Sequence, residues 1–377
     1  MKKPVNPFEL YTYLGPKYFC DRDEELNELL DAFDHRRMVV LSSFRRLGKT
    51  SLIHHWHYHL SKRKVKGIYI DVMDTDSDQK FVNKFISKIV NTLNENRSVT
   101  EHLLQKLGRV RPTLKVDPVT YSPTLSVNVE TKEDIQYTMD MVMNLLSDDK
   151  TKYQIAIDEF QQIGNYKCTS IDATLRSYFP KANNIHFLFS GSEQHLLSSL
   201  FSDPGKPLFS TAQMMNLDYI GYSPYFEYIK DKFSEYEKTI DDNHIHDILK
   251  WTNRHTFYTQ FLLNEVFAKT DKNTTDRMVS DAKSKCLKLN EAHYYYLKKI
   301  LSDNQWKLLL AIAENQEVSS FYNKEFLSHY RFSASSIRQA LDALKAFNLV
   351  SEKISNEGSR YFINDVFLSR WLENYGR

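Results

Sequence analysis

Lys49 stands between a glycine and a threonine, and a lysine in that setting can hold phosphate. The stretch around it is Val39-Val40-Leu41-Ser42-Ser43-Phe44-Arg45-Arg46-Leu47-Gly48-Lys49-Thr50-Ser51-Leu52. It starts as a β-branched and aliphatic run, breaks at a polar turn and continues with helical spacing. That is the strand–loop–helix order of G-x-x-x-x-G-K-[ST], with Ser43 where the first glycine would stand. Free N–H groups at a helix start point at an anion, and the helix dipole adds to the attraction. Gly48 lets backbone approach phosphate, Lys49 reaches the β- and γ-phosphates, and the Thr50 hydroxyl can ligate Mg²⁺. Ser43, Arg45, Arg46, Leu47, Gly48, Lys49, Thr50 and Ser51 are therefore the candidate nucleotide contacts. A helix start capped by Ser42 or Ser43, with no ligand, would use the same residues.

A second stretch decides between these readings. Tyr153-Gln154-Ile155-Ala156-Ile157-Asp158-Glu159-Phe160 is an apolar strand that ends in two carboxylates. A buried parallel strand would deliver Asp158 to its C-terminal edge, where it can hold a metal through water. Glu159 would then lie beside the γ-phosphate and orient the attacking water. One βαβαβ length separates the two stretches, and the expected ligand is ATP or ADP with Mg²⁺. A third strand, Ile185-His186-Phe187-Leu188-Phe189-Ser190-Gly191-Ser192, ends in hydroxyls that could sense γ-phosphate. Ser190 is the first choice and Ser192 the second, against a plain turn and helix cap.

The elements that must position these residues follow from periodicity. Asp21-Arg22-Asp23-Glu24-Glu25-Leu26 starts a helix with acids in its first turn, after an aromatic arm at Asn6-Pro7-Phe8 and Tyr18-Phe19-Cys20. That arm and Arg22 either surround base and ribose or only cover a sheet edge. Val65 to Val72 reads as a second buried strand. His54, His55, His57 and His59 follow the loop, and a solvated helix face accounts for them better than a metal site. Residues 108–130 interrupt the α/β rhythm with a β-hairpin, Arg109, Arg111 and Lys115 at its base. A structural flap is the simpler reading there, a partner-binding loop the other. Alternating strands and helices make a parallel sheet with ligand at the strands' carboxyl ends.

The expected domain order is an N-terminal arm and helix (1–37), a P-loop ATPase core (38–221), a helical lid (222–300) and a winged helix-turn-helix (301–377). The fold class is α/β, a P-loop parallel sheet with helices on both faces, followed by lid and winged helix. The last segment carries nine basic and nine acidic residues, so it lacks the basic footprint of a phosphate-contacting module. Arg338, Gln339, Lys345, Lys353 and Arg360 could still face a DNA groove. The whole chain, at 377 residues and net charge +2, points to neither nucleic acid nor membrane by bulk charge. Three scattered cysteines give no disulfide frame or zinc spacing. No run approaches about 18 apolar residues and no signal-peptide core follows Met1, so a soluble cytoplasmic protein is expected.

Together these motifs resemble the prokaryotic AAA-type ATPases of the archaeal ATPase and STAND-like groups, relatives of the Orc/Cdc6 initiators. The resemblance rests on Asn6-Pro7-Phe8, Phe19-Cys20-Asp21-Arg22-Asp23-Glu24, Arg45-Arg46-Leu47-Gly48-Lys49-Thr50-Ser51-Leu52, Ile157-Asp158-Glu159-Phe160-Gln161, Phe189-Ser190-Gly191-Ser192 and Tyr361-Phe362-Ile363-Asn364-Asp365-Val366-Phe367. It implies an ATPase core, a helical lid, a C-terminal winged helix and an ATP/ADP-dependent change of shape or assembly. The partner would be another protein or a second copy. A nucleotide-gated interaction switch and a DNA-binding regulator are the alternatives. Three positions depart from the pattern. Ser43 replaces a glycine, Pro207-Leu208-Phe209-Ser210-Thr211 offers no arginine, and Asn253-Arg254-His255-Thr256-Phe257-Tyr258 lacks the usual glycine and proline.

Overall fold

A computed structural model describes residues 5–93, 110, 112–116, 123–167, 169–355 and 358–376. Arg109, Arg111, the side chain of Lys115, Cys168 and the turn residues Asn356 and Glu357 lie outside that description. The chain divides into two compact units, Thr12–Asp218 and Met1–Tyr11 with Tyr219–Arg377.

The first unit is built on a five-stranded sheet of order β2-β5-β6-β1-β7, parallel throughout. Its strands are β1 (Val39–Ser42), β2 (Val65–Asp71), β5 (Lys152–Asp158), β6 (Ile185–Gly191) and β7 (Gln213–Asn216). Side chains alternate across a strand, and β1 shows how both faces fill. Val39 and Leu41 pack with Leu26 and Leu29 of α1 (Asp23–Asp34) and Leu52 and Trp56 of α2 (Lys49–Ser61). Val40 faces the other way. It joins Phe81 and Phe85 of α3 (Asp78–Leu93), Met139 of α4 (Lys132–Asp148), Leu175 of α5 (Ile171–Tyr178) and Leu197 of α6 (Gln194–Ser202). A strand buried on both faces reads as the unbroken apolar run seen in the sequence.

The inserted hairpin pairs β3 (Thr113–Val116) with β4 (Pro123–Ser126) in antiparallel register. A row of polar side chains on α3, spaced one helical turn apart, fastens it down. Ser87 Oγ donates to the Leu125 carbonyl at 2.7 Å. Asn83 Oδ1 accepts from Val127 N–H at 2.8 Å, and Gln79 Oε1 from Val129 N–H at 2.7 Å. The helix side chains thus stand in for the missing neighbour strand.

Two of the four histidines of α2 depart from the solvated face expected of them, while His54 and His59 are half-buried. His55 is buried, hydrogen-bonded to the Tyr13 hydroxyl at 2.7 Å and stacked on Phe19 at 4.1 Å between ring centroids. His57 hydrogen-bonds Gln154, and its ring fills the space that a Cβ on Gly67 would need. Burial lowers both rings to about 4. They are core rings, and among the described residues no group of three His, Cys, Asp or Glu could hold a metal.

The second unit carries helices α7 (Tyr222–Ser234), α8 (Asp242–Trp251), α9 (Thr256–Lys269), α10 (Asp276–Leu289) and α11 (Glu291–Ile300). Phe8 is wholly buried here, against Tyr228, Phe233 and Phe267. Asn6 and Asn264 pin it by exchanging hydrogen bonds with backbone carbonyls. The Asn6-Pro7-Phe8 arm is therefore an aromatic plug in this helical core.

The winged helix follows as α12 (Asp303–Asn315), α13 (Lys324–His329), α14 (Ala334–Ala346), the antiparallel wing β8 (Val350–Ser355) and β9 (Gly358–Ile363), and α15 (Val366–Tyr375). Ser302, Asn323, Ser333 and Asp365 each accept from a backbone N–H of the helix they begin. Each such cap is worth about 1 kcal/mol. Buried Arg370 ties α15 back to α8, donating to the Trp251 carbonyl at 2.8 Å and to Asn253 Oδ1 at 3.0 Å. Among the described residues no helix is long and apolar enough to cross a membrane.

Candidate functional site

Strand register brings the chemistry to one rim. Ile157 pairs with Phe189, and Leu41 with Ser190, so Asp158, Ser190 and the loop after Ser42 leave the sheet side by side. Gly48 adopts φ 101°, a left-handed turn that glycine takes without strain, and α2 starts there with no side-chain cap. Its first N–H groups are thus left for an anion.

Lys49 is 5% exposed, and its Nζ lies 3.3 Å from the Ser43 hydroxyl. Ser43 in the glycine position therefore has a task the sequence did not disclose, which is to steady the lysine. Burial pushes the Lys49 ammonium below its ordinary value, while the Asp158 and Glu159 charges pull it up and Arg45 pushes it down. A buried ammonium with a neutral partner leaves room for an anion to complete its coordination.

Asp158 is 3% exposed and accepts four hydrogen bonds from described residues. Oδ1 takes the Ser190 hydroxyl at 2.6 Å and the Glu159 N–H at 3.0 Å. Oδ2 takes the Thr50 hydroxyl at 3.0 Å and the Tyr69 hydroxyl at 2.7 Å. Because Thr50 donates its proton to Asp158, the lone pairs of its oxygen stay available to a cation. Thr50 and Asp158 offer only oxygen donors, the set a hard divalent ion prefers. Tyr69 was missed in the sequence, where its strand position marked it only as a buried residue. Burial and then the Asp158 charge raise its phenol far above the ordinary value, so it remains a donor.

Glu159 has φ 55°, left-handed for a residue with a side chain. Its Oε2 accepts from Gln161 Nε2 at 2.6 Å and from Ser192 Oγ at 2.8 Å. Arg45 pairs with Glu193 at 3.2 Å, and both side chains are about half exposed. Leu47 is buried, so only its backbone is offered to a ligand. Arg46 takes a left-handed φ of 63°, turning the loop toward Gly48. Ser51 is half-buried in the first turn of α2. Arg22 is spent on internal contacts, donating to the Asp218 carbonyl at 2.6 Å and to Glu25 Oε1 at 2.7 Å.

A parallel sheet with a glycine–lysine–threonine loop and an Asp-Glu strand end at one rim defines a P-loop ATPase core. Residues 19–258 match the family described as an ATPase domain predominantly from Archaea, and the chain belongs to that family. Residues 292–374 match a probable winged helix domain. Among solved structures, the chain is similar to the Walker-type ATPase PABY2304 of Pyrococcus abyssi, at 18% identity and TM-score 0.65, over 97% of this chain and 99% of the other. It is similar to the Aeropyrum pernix ORC2 protein, solved in ADPNP–ADP complexes, at 14% identity and TM-score 0.59, over 98% and 96%. It is also similar to the Aeropyrum pernix ORC1 protein in complex with DNA, at 11% identity and TM-score 0.53, over 98% and 97%. Identities this low bear on the fold alone. No curated protein matches the sequence significantly. The chain is a nucleotide-binding ATPase that carries a C-terminal winged helix.

Proposed function

We propose that the chain hydrolyses Mg·ATP slowly and uses the passage from ATP to ADP to change its shape or its assembly with another protein. The observation that carries this reading is the meeting of Lys49, Thr50, Asp158, Glu159 and Ser190 at one rim, with Lys49 and Asp158 both buried. Lys49 and the loop backbone from Ser43 to Ser51 would bind the β- and γ-phosphates. Thr50 and Asp158 would hold Mg²⁺, which neutralises charge on the phosphate oxygens when bound. Ser190 would turn from Asp158 toward the γ-phosphate and report its presence. Glu159 would orient the attacking water and take its proton. Water oxygen bonds to the γ-phosphorus, the bond to the bridging oxygen breaks, and its electron pair leaves on ADP.

Slow turnover is expected because a cation supplied in trans provides much of the rate in such sites, and the segment Pro207–Thr211 contains no arginine. The test compares wild type with Glu159→Gln. The variant should bind ATP normally and lose turnover, and equal turnover in both would remove Glu159 from catalysis. Size-exclusion profiles in ADP and in a non-hydrolysable ATP analogue test the second half of the proposal. Identical profiles would count against a change of shape or assembly.

A further inference from the structure

We infer that Gln161, with Ser192, is a positioning residue that holds the Glu159 carboxylate by one oxygen and so presents the other to the attacking water. The inference rests on the reading of Glu159 as the group that orients water. Three donors converge on Oε2: Gln161 Nε2 at 2.6 Å, Ser192 Oγ at 2.8 Å and Ser192 N–H at 3.3 Å. No hydrogen bond from a described residue reaches Oε1. A carboxylate held in this way keeps the lone pairs of one oxygen for a proton, while the fixed oxygen sets its direction.

Gln161 is badly explained as a residue that stabilises the fold. It is 3% exposed, and its Oε1 is buried with no hydrogen-bond partner among the described residues. A buried acceptor without a partner destabilises the native state. Turning the amide over would not help, because it would set a carbonyl oxygen against the Glu159 carboxylate. The orientation follows from the need to place Nε2 on Oε2.

The neighbouring backbone is arranged for the same contact. A Cβ built on Gly191 would overlap Gln161 Oε1, and the backbone angles of Gly191 are not left-handed. The absent side chain, and not conformational freedom, is what this position provides. Glu159 in turn holds its left-handed φ of 55° at the end of β5, which swings its side chain toward the end of β6. A strained backbone, a glycine cleft and an unpartnered amide oxygen thus converge on a single hydrogen bond.

Gln161→Met keeps the length of the side chain and removes its N–H groups. It should lower kcat by about 10- to 100-fold, as a small misplacement of a catalytic group does. KM and the nucleotide Kd should stay within about twofold, and Tm should hold or rise, since the unpartnered oxygen is gone. Added to Glu159→Gln and followed under single turnover, Gln161→Met should cause no further loss. Gly191→Ala, which displaces the amide by another route, should reproduce the kinetic phenotype and decides the matter if Gln161→Met does not fold. Wild-type kcat in both variants beside an inactive Glu159→Gln overturns the inference and leaves the role of Glu159 standing. A loss that is equal in the wild-type and Glu159→Gln backgrounds, or that follows a fall in Tm, also overturns it. Full turnover by Glu159→Gln overturns the inference together with the reading beneath it.

Discussion

Helix starts are treated differently in the winged helix and at the rim of the parallel sheet. In the winged helix, Ser302, Asn323, Ser333 and Asp365 cap the helices they precede. At the sheet rim α2 begins on Gly48 with no cap, and buried Lys49 has a serine hydroxyl for its partner. Charged groups follow the same division. In the winged helix Lys345 pairs with Glu352 at 2.6 Å, Arg360 with Glu317 at 3.6 Å and Arg370 with Glu373 at 2.6 Å. One region uses its polar groups to complete its own fold. The other leaves donors open, which is the arrangement a ligand requires.

If that division is right, substitutions at the rim should lose binding without losing stability, and cap substitutions should do the reverse. The largest effect is expected at Lys49. Lys49→Met keeps the shape and removes a buried charge, so nucleotide affinity should fall at least about 100-fold, near 2.7 kcal/mol, with Tm unchanged or raised. A matching fall in Tm would make Lys49 a structural residue and break the comparison. Tyr69→Phe should come next. Loss of its hydrogen bond to Asp158 should raise the Mg²⁺ needed for tight nucleotide binding by about tenfold, as outer-sphere partners of metal ligands do. Affinity measured in EDTA should not move, and a shift there would show that Tyr69 acts on the fold.

The core histidines of the ATPase unit give a smaller, graded effect. His55, His57 and His186 sit near 4, lowered chiefly by burial, whereas free histidine titrates near 6.5. Between those values the unfolded chain binds more protons, so stability is full above about 6.5 and falls as pH drops toward 4. Each ring contributes a slope of up to about 1.4 kcal/mol per pH unit. Thermal unfolding from pH 7 to 5 should show a falling Tm, and a flat profile would contradict the burial of these rings. The smallest effect is expected at a cap. Ser302→Ala should cost about 1 kcal/mol of stability and leave nucleotide affinity untouched. The charge-balanced winged helix should show no salt-dependent affinity for duplex DNA, which a titration over NaCl concentration would check.

Much of the sheet was legible because strands buried on both faces read as apolar runs, as β1, β5 and β6 do, while β2 was legible from its Ile68-Tyr69-Ile70 stretch although it buries only alternate positions there. The edge strand β7 was not, since Gln213-Met214-Met215-Asn216 buries only one of its four residues. Helix α15 was not legible either, since every residue from Val366 to Leu372 is buried and that stretch shows no solvated face to mark a helical period. The candidate site residues Lys49, Thr50, Asp158 and Glu159 follow from spacing along the chain. Their supporting partners do not: Tyr69, Gln161 and Gly191 depend on which strands become neighbours, and the order β2-β5-β6 is a property of the folded sheet. Phe8 was left open between a nucleotide arm and an edge cover because aromatics serve both uses, and only packing tells a plug from a platform. The histidine row misled for a related reason, since a ring with one hydrogen bond and one stacking partner is at ease in a core.

A calorimetric titration of Mg·ATP into the Glu159→Gln protein, repeated with Lys49→Met added, tests the central claim most directly. The account predicts a saturable single-site isotherm for Glu159→Gln that disappears in the double variant. A flat isotherm in the first, or an unchanged one in the second, would mean that Lys49 and Asp158 share a rim without sharing a ligand.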